Sequence, residues 1–263
     1  KNKIDPIDIA LPRTEHADMT GGYRDFEVQS DKDLPIEKDL SRRDFTINAL
    51  AWDLRNQELI DEFDGLKDLK SKAIRAIGDP KKRFQEDYTR MLRAIRFFAQ
   101  LDFSIEAHTL KAIADKKEKI LTLPKERIGE EFVKIIMSSK AGEAIRLMQA
   151  MGLLQILIPE LEAGAGMTQN KAHIYDVFEH SVRALGAAAS HNFSLEIRLA
   201  ALFHDVGKPI TKEGNGPDAT FYNHDQGGAK ITKDILKRLN FSSDVIKKTV
   251  HLVRYHMFYY ALD

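Results

Sequence analysis

Amphipathic spacing dominates this chain from about residue 69 to its end. Apolar residues return there every three or four positions, which is the period of an α-helix that buries one face. Proline, glycine and polar stretches separate the periodic segments. The predicted helices cover residues 86–100, 104–120, 124–135, 141–157, 176–189, 195–206, 225–239 and 244–255, with Ser104 as an N-cap and a loop over 209–222. This part of the chain is therefore predicted to be all α.

The first 68 residues have a mixed pattern. Alternating apolar and polar residues over 7–11 predict a short strand. Residues 14–35 are polar and interrupted by two glycines and a proline, so they are predicted to form a mobile loop. Residues 48–52 and 59–63 fit either two strands or a helix followed by a strand. The chain as a whole is therefore predicted to be α+β.

The composition excludes several classes of protein. Cysteine is absent, which excludes disulfides, thiolate zinc sites and cysteine nucleophiles, so any metal must bind His, Asp or Glu side chains. The 40 basic and 40 acidic residues balance, which leaves only a local basic face for nucleic-acid binding. No apolar run approaches the ~18 residues of a membrane span, and no signal peptide is visible. We expect a cytoplasmic protein without a membrane partner; the oligomeric state stays open.

Two segments combine arginines with acidic residues at short spacing. Residues 42–50 read RRDFTINAL, and residues 86–97 read EDYTRMLRAIRF. A guanidinium group matches phosphate oxygens and stays charged, and an Asp beside an Arg has the donors and acceptors to read the edge of a base. Taken alone, each segment also fits an ordinary solvated charged surface. Between them, residues 61–69 read DEFDGLKDL, an Asp-Gly turn before a helix start.

Together these segments resemble the motifs of class II tRNA nucleotidyltransferases and bacterial poly(A) polymerases. The resemblance implies the remainder of a β-sheet nucleotidyltransferase head over residues 1–68 and an all-α neck and body over 69–165. It implies that Arg43 contacts the triphosphate of the incoming nucleotide. Asp87 and Arg90 are implied to hydrogen-bond the base of CTP and then ATP, and three positions apart on one helix they would be neighbours.

Arg93 and Arg96 also match the family's helix and are candidate nucleotide-binding residues. Steps of three residues drift by about 60° each around a helix, at roughly 100° per residue. Arg96 is therefore expected to face nearly opposite to Asp87. A salt bridge that packs the neck is the alternative role for Arg96.

The phosphate-binding motif and the Asp-x-Asp pair that holds Mg²⁺ in this family should precede the strand at 7–11. The chain begins too late to contain them, so it is expected to lack nucleotide transfer on its own. The GGYRD segment at residues 21–25 is rejected as a substitute, because it follows that strand. Asp8 is a candidate accessory carboxylate, and a solvated strand Asp is the alternative.

The last hundred residues contain four histidines and an adjacent His-Asp pair at wide spacing: His180, His204, Asp205, His224 and His256. A lone His on an apolar helix is usually a core residue, but this combination resembles the HD superfamily of metal-dependent phosphohydrolases. Residues 166–263 are therefore expected to form an HD domain. Its imidazole and carboxylate ligands suit Ni, Mn, Co, Zn or Fe, or Mg²⁺. Lys208 is a candidate contact for the anion, and Asp263 is a candidate last ligand.

The resemblance implies a tRNA nucleotidyltransferase that adds CCA from CTP and ATP with Mg²⁺, without a nucleic-acid template. It also implies an HD domain that hydrolyses 2′ or 2′,3′-cyclic phosphates. Addition of CC alone, of A alone or of poly(A) stays open. Two alternatives of other classes are an HD phosphohydrolase with a non-catalytic transferase remnant, and an RNA-binding module with neither activity.

Overall fold

The computed structural model describes residues 11–17, 26–169, 174–214 and 216–257. Five predictions therefore lie outside the described residues: the strand over 7–10, Asp8, the GGYRD segment at 21–25, the centre of the loop at 18–25, and Asp263. Within the described part, helices predominate and three small two-stranded sheets accompany them. The predicted α+β class is confirmed.

The head begins with a hairpin where the sequence predicted a loop. Strands β1 (Arg13–Ala17) and β2 (Phe26–Ser30) pair antiparallel, with Arg13 opposite Ser30. The loop prediction over 14–35 is wrong at these ends. The loop prediction relied on the glycines and polar residues of this segment. The alternation of Phe26 and Val28 with polar residues is typical of a strand, and it is this pattern that the structure follows.

The rest of the head is built from short elements. Helix α1 (Ile36–Ser41) leads into a 3₁₀ turn at Thr46–Asn48. Strands β3 (Ala51–Asp53) and β4 (Glu58–Ile60) form an antiparallel hairpin, so the two-strand alternative for this region is correct. Helix α2 (Gly65–Ser71) follows.

The neck and body are helical. They contain the parallel pair β5 (Ala73–Ile74) and β6 (Ser104–Ile105), a 3₁₀ helix at Lys117–Thr122, and the helices α3 (Pro80–Glu86), α4 (Thr89–Leu101), α5 (Ala107–Lys116), α6 (Lys125–Ile136), α7 (Ala141–Ala150), α8 (Leu153–Leu157) and α9 (Pro159–Glu162).

Three predicted boundaries in this region are wrong. The helix over 86–100 is interrupted at Asp87, where the backbone is extended. Ser104 lies in a strand, and Glu106 is the N-cap of α5 instead. The helix over 141–157 is divided at Gly152, whose φ of 70° is left-handed. In each case a local capping or turn conformation overrides an amphipathic period that continues through it.

The last region carries the helices that the periodicity predicted. They are α10 (Val177–Ser190), α11 (Leu195–Phe203), α13 (His224–Arg238) and α14 (Ser243–Arg254). The predicted loop between them holds a short helix α12 (Lys208–Thr211), a 3₁₀ turn at Gly216–Asp218 and an isolated bridge between Glu213 and Thr220. Helix α14 packs on α11 and α13, and α10 packs on α11 and α7.

One apolar core connects these regions. It runs from Phe45 in the head through Met91 and Ile145 to Leu199 and Val253, all of them buried. A smaller cluster of Leu40, Ala49 and Ile77 lies under α1. No described helix has both the length and the apolar character needed to cross a bilayer.

Candidate functional site

Arg43 lies directly after α1, in the turn that carries the RRDF motif. Its side chain is less than half exposed and donates to the backbone oxygen of Asn48 at 3.0 Å and to Asp39 Oδ2 at 3.4 Å. The buried carboxylate of Asp39 also accepts from Arg42. Asp39 thus holds two adjacent guanidinium groups at the surface of the head, which is an arrangement suited to an anion such as a triphosphate.

Asp44 and Arg93 join the head to α4. Asp44 is 5% exposed, accepts from the Asn48 amide at 2.6 Å and forms an ion pair with Arg93. Burial raises the pKa of the Asp44 carboxyl, but the charge and the hydrogen bond of Arg93 lower it by more than burial raises it. The net pKa therefore lies below its usual value. Arg93 is therefore committed to an ion pair across the head–neck junction.

Arg90 is buried at the same junction. It donates to the carbonyl of Arg42 at 3.0 Å, to the carbonyl of Arg83 at 2.9 Å and to Glu86. Asp87 lies in the break before α4, where its Oδ1 accepts from the Thr89 amide at 2.8 Å. The expectation that Asp87 and Arg90 lie on one continuous helix is wrong, because the backbone is extended at Asp87 and α4 begins only at Thr89. The two residues still share one turn, through a backbone hydrogen bond of 3.2 Å.

Arg96 is separated from these residues by the turn of α4. Arg96 is 9% exposed, and its guanidinium donates to both carboxylate oxygens of Glu131 on α6, at 2.9 and 3.0 Å. Lys134 reaches the same carboxylate at 2.9 Å. The geometry favours the packing role of Arg96 over contact with a nucleotide, since its donors face the interior of the neck.

The five predicted metal ligands come from four elements and meet at one place. His180 lies on α10, His204 and Asp205 follow α11, His224 begins α13, and His256 follows α14. His180 Nε2 and His204 Nε2 are 3.0 Å apart, and His224 Nε2 and His256 Nε2 are 3.2 Å apart. Asp205 belongs to both groups that have metal-ligand spacing, with His180 and His204 on one side and His224 and His256 on the other.

The hydrogen bonds of three of these histidines fix their protons. Nδ1 of His204, His224 and His256 lies 2.9, 2.7 and 2.7 Å from the carbonyl three residues earlier in each case. A carbonyl only accepts, so each Nδ1 carries a proton, and the neutral imidazole presents a lone pair at Nε2. These lone pairs converge on the Asp205 carboxylate. Acceptor atoms that converge in this way need a cation or added protons between them. A hydrogen bond from Nδ1 to a backbone carbonyl, with Nε2 left for the metal, is typical of metal-bound histidines.

The Asp205 carboxylate supplies the negative charge that attracts a cation, and the neighbouring Lys208 ammonium group offsets part of that charge. Burial raises the pKa of the Asp205 carboxyl, but His204 and His224, when they carry a proton on both ring nitrogens, donate to it and lower it more, and the nearby Lys208 adds to this lowering. Burial also lowers the pKa of His256, which favours its neutral form. For His224 burial lowers the pKa, and the Asp205 carboxylate more than offsets this, so the net shift is upward. The cluster therefore fits a bound divalent cation.

Lys208 is buried beside the cluster rather than extended towards solvent. Its Nζ donates to Asp205 Oδ2 at 2.7 Å and to the amide oxygen of Gln169 at 2.6 Å. Gln169 is 6% exposed and donates to the carbonyl of Tyr175. Sequence reasoning missed Gln169, because it lies 39 positions from Lys208 and belongs to no motif.

A cavity of about 670 Å³ opens beside the cluster. The candidate metal ligands and Lys208 line one part of it. The remaining walls come from the loop before α13 and from the end of α14, including Phe221, Tyr222, Arg254 and Tyr255. None of these four belongs to the sequence motifs, so the sequence analysis did not find them.

Three family models match this chain along its length. The "Poly A polymerase head domain" matches residues 1–75, the "Probable RNA and SrmB- binding site of polymerase A" matches 102–164, and the HD domain matches 177–262. A protein of Deinococcus radiodurans named A-adding tRNA nucleotidyltransferase is 39% identical over 244 residues, which is 88% of this chain and 55% of that protein.

The chain belongs to the tRNA nucleotidyltransferase and poly(A) polymerase family. The predicted family is thereby confirmed. A second relative is the "Multifunctional CCA protein" of Neisseria gonorrhoeae. It is 33% identical to this chain, and the match covers 97% of this chain and 62% of that protein. The chain therefore spans little more than half the length of these relatives.

Solved structures of the family share the fold. A CCA-adding enzyme in its apo form II superposes with a TM-score of 0.62 and 24% identity, over 94% of this chain and 52% of that chain. A complex of a CCA-adding enzyme with ATP superposes with a TM-score of 0.54 and 26% identity, over 82% of this chain and 46% of that chain.

Proposed function

We propose that the full-length protein is a tRNA nucleotidyltransferase that adds CCA to tRNA 3′ ends from CTP and ATP with Mg²⁺. The head–neck junction carries this proposal. Arg43 offers a phosphate contact on the head, while Asp87 and Arg90 lie in one turn of the neck, and Arg90 donates to the carbonyl of Arg42 beside it. Base selection and phosphate binding are thereby joined through one hydrogen bond.

In this proposal each side chain has a different task. Arg43 binds triphosphate oxygens as a charged fork. Asp87 accepts from the exocyclic amine of cytosine or adenine, and Arg90 donates to the neighbouring ring acceptors. Arg93 holds the neck against the head through Asp44. The relative of Deinococcus radiodurans named as A-adding supports a second candidate, addition of A alone.

The test uses the full-length gene product, tRNA transcripts that lack CCA, labelled CTP and ATP, and sequencing of the new 3′ ends. We expect CCA ends; A alone would establish the second candidate. Arg43→Ala should lower incorporation about tenfold or more, since a charge-assisted contact is lost, whereas the exposed Arg55→Ala should not. Asp87→Ala should admit UTP and GTP. No incorporation beside an active control enzyme would refute the transferase proposal.

We further propose that the HD region is a phosphohydrolase for nucleoside 2′ or 2′,3′-cyclic phosphates. The convergence of Nε2 lone pairs on Asp205 carries this proposal. His180, His204 and Asp205 would hold one divalent ion, and Asp205, His224 and His256 would complete a second set of ligands. A bound ion would polarise the phosphoryl oxygen and lower the pKa of a water molecule.

The chain's own residues provide the surroundings of this reaction. Water adds to phosphorus, one ribose P–O bond of the cyclic ester breaks, and a proton from water moves to the departing ribose oxygen. Lys208 donates to the Asp205 carboxylate and holds it in place, while Gln169 accepts a second hydrogen bond from Lys208 and so fixes the lysine. The protonated Nδ1 atoms keep the imidazole rings oriented towards the phosphate.

The chain is loaded in turn with Ni²⁺, Mn²⁺, Co²⁺, Zn²⁺, Fe²⁺ or Mg²⁺, freed of unbound metal, and incubated with adenosine 2′,3′-cyclic phosphate. We expect near-stoichiometric metal for at least one ion and hydrolysis to a monophosphate. His204→Ala should lose both, whereas His191→Ala, an exposed histidine outside the cluster, should lose neither. Equal metal content in the parent and His204→Ala proteins would contradict the site.

A further inference from the structure

The cavity beside the histidine cluster is larger than a phosphate group requires. Its volume of about 670 Å³ falls within the roughly 300–1,000 Å³ that is usual for pockets holding whole small-molecule ligands. Candidate metal ligands occupy one part of its lining. The other part is formed by residues whose side chains take no share in the cluster, and these residues must contact whatever is attached to the phosphate.

Two exposed tyrosines stand out in that second part. Tyr222 is 70% exposed and Tyr255 is 58% exposed, and both line the cavity. Neither belongs to the buried core, although one face of the Tyr255 ring lies against His251, with 4.8 Å between the ring centres. Single exposed aromatic residues are ordinary on protein surfaces. Here two of them, on separate elements, line one cavity together with the candidate metal ligands, and we call this pair the aromatic wall.

The backbone ties each tyrosine to a candidate metal ligand. Tyr222 is two residues before His224, in the turn where Asn223 takes a left-handed φ of 58° and starts α13. Tyr255 directly precedes His256 at the end of α14. His224 and His256 meet at 3.2 Å between their Nε2 atoms. Because each tyrosine is close to one of these histidines in the chain, the contact that would complete a metal site also brings both tyrosines to one cavity.

A cation accompanies the aromatic wall. Arg254 pairs with Asp225 and lies 5.7 Å from the centre of the Tyr255 ring. Aromatic rings next to arginine are the usual elements of sites that bind single-stranded nucleotides, where bases stack on the rings. Stacking tolerates every base, because each base has a π face. Such a wall therefore selects for the presence of a base but not for its identity.

We propose that Tyr222 and Tyr255 form a base-stacking subsite, so that the HD region selects phosphate esters of nucleosides over base-free phosphate esters. This inference rests on the phosphohydrolase activity proposed above and names its specificity-determining residues. The ligand is a nucleoside 2′ or 2′,3′-cyclic phosphate, either as a mononucleotide or as the 3′ end of an RNA.

The test compares cyclic phosphate esters that carry a base with one that carries none. The metal-loaded chain is assayed with adenosine and cytidine 2′,3′-cyclic phosphates, with an RNA oligonucleotide that ends in a 2′,3′-cyclic phosphate, and with glycerol 1,2-cyclic phosphate. We expect Tyr222→Ala and Tyr255→Ala each to lower kcat/KM for the nucleoside substrates about tenfold. The glycerol ester should change less than about twofold, and the two bases should differ by a similarly small factor.

Conservative and distant variants complete the design. Tyr222→Phe and Tyr255→Phe keep the ring and should retain the parent rates on nucleosides. Phe193→Ala removes a partly exposed aromatic side chain that is not among the cavity-lining residues, and it should behave as the parent. A kcat/KM that is higher for the oligonucleotide than for the nucleoside cyclic phosphates would identify the end of an RNA as the ligand. A lower value would identify mononucleotides as the ligand.

Binding separates this inference from the hydrolysis it rests on. Adenosine 2′-monophosphate and glycerol 2-phosphate are titrated into the chain by equilibrium dialysis, with and without metal. If no substrate is hydrolysed but the Tyr→Ala variants still weaken binding of the adenosine compound alone, the phosphohydrolase proposal fails and the subsite stands. Equal losses for nucleoside and glycerol compounds, or no loss for either, would overturn the subsite.

Discussion

At the residue scale, a single backbone pattern prepares the histidine cluster. In three of its members, Nδ1 donates to the carbonyl three residues earlier. Each imidazole lies at or beyond a helix end, where carbonyl and amide groups lack helical partners. Helix ends thus set the tautomer and direct Nε2 at a shared point. The residue types can be read from the sequence, but the tautomers follow from these local bonds.

Gly207 permits the approach of the two segments that carry the cluster. It is buried, and a Cβ at this position would overlap the His224 carbonyl oxygen and the backbone of Gly228. The turn after Asp205 therefore contacts the first turn of α13 backbone to backbone. A side chain here would push Asp205 away from His224.

We predict that Gly207→Ala destabilises the chain by about 1–3 kcal/mol through overpacking and lowers metal occupancy several-fold. Urea unfolding and metal analysis on the same preparation measure both effects. Gly186→Ala is the matched control, because no atom lies within 4 Å of its Cβ on α10. It should leave metal binding unchanged and add up to about 1 kcal/mol of stability. Unchanged metal occupancy in Gly207→Ala would show that metal binding does not depend on the close approach of the turn after Asp205 to α13.

At the scale of single elements, capping residues decide where helices begin. Asp87 accepts from the Thr89 amide and separates α3 from α4. Glu106 accepts from the amides of His108 and Thr109, both at 3.0 Å, and starts α5. Carboxylates at these positions satisfy amide groups that have no helical partner and complement the positive end of the helix. The amphipathic period continues across both positions, so it does not reveal them.

Glu106 makes the start of α5 sensitive to pH. Burial raises the pKa of its carboxyl, but hydrogen bonds from the His108 and Thr109 amides and side chains lower it more, to about 2. The folded pKa is below the unfolded value, so this stabilisation is complete above about pH 4.5. It is lost progressively as the pH falls from there towards 2.

We predict that Glu106→Ala costs about 1 kcal/mol at pH 7 and that this cost shrinks as the pH falls from 5 to 3. Urea unfolding of the parent and variant at several pH values measures the difference. Glu118→Ala, an exposed glutamate in the 3₁₀ helix after α5, should show no such trend. A cost that stays constant over this range would mean that the carboxylate charge is not responsible.

At the scale of the whole molecule, buried polar contacts bind the body to the HD region. Arg198 on α11 is 3% exposed and donates to the carbonyls of Ile136, the last residue of α6, and of Ser138 just beyond it, at 3.0 and 2.9 Å. Gly129 on α6 lies against the Leu239 carbonyl so closely that a Cβ would overlap it. The apolar core is continuous across the same boundary. These contacts favour unfolding of the body and HD region as one cooperative unit.

We therefore predict that a divalent metal shifts the unfolding of the body and HD region together. An ion that binds only the folded chain stabilises it by about 2.7 kcal/mol at a hundredfold excess over its Kd. Calorimetry should show one peak that moves to higher temperature with metal, and no movement in His204→Ala. Two peaks, of which only one responds to metal, would show that the HD region unfolds independently.

Much of this molecule follows from the sequence alone. The period of three to four residues predicted α6, α10, α11, α13 and α14 within a few residues, because a helix buries one face by a local rule. The motifs around Arg43 and Asp87 and the His-Asp pair were sufficient to predict the family. The identities of the five candidate metal ligands also came from the sequence, and they lie together in the structure.

The tertiary structure decided which partners these residues take. Arg96 turns to Glu131, 35 positions away, and Lys208 turns to Gln169, 39 positions away. The approach of Tyr222 and Tyr255 to one cavity depends on how α13 packs on α14. Such contacts join residues far apart in the chain, and a repeating local pattern contains no information on how two helices pack. The sequence by itself therefore determined the elements and the chemical groups, while packing determined the geometry in which those groups meet.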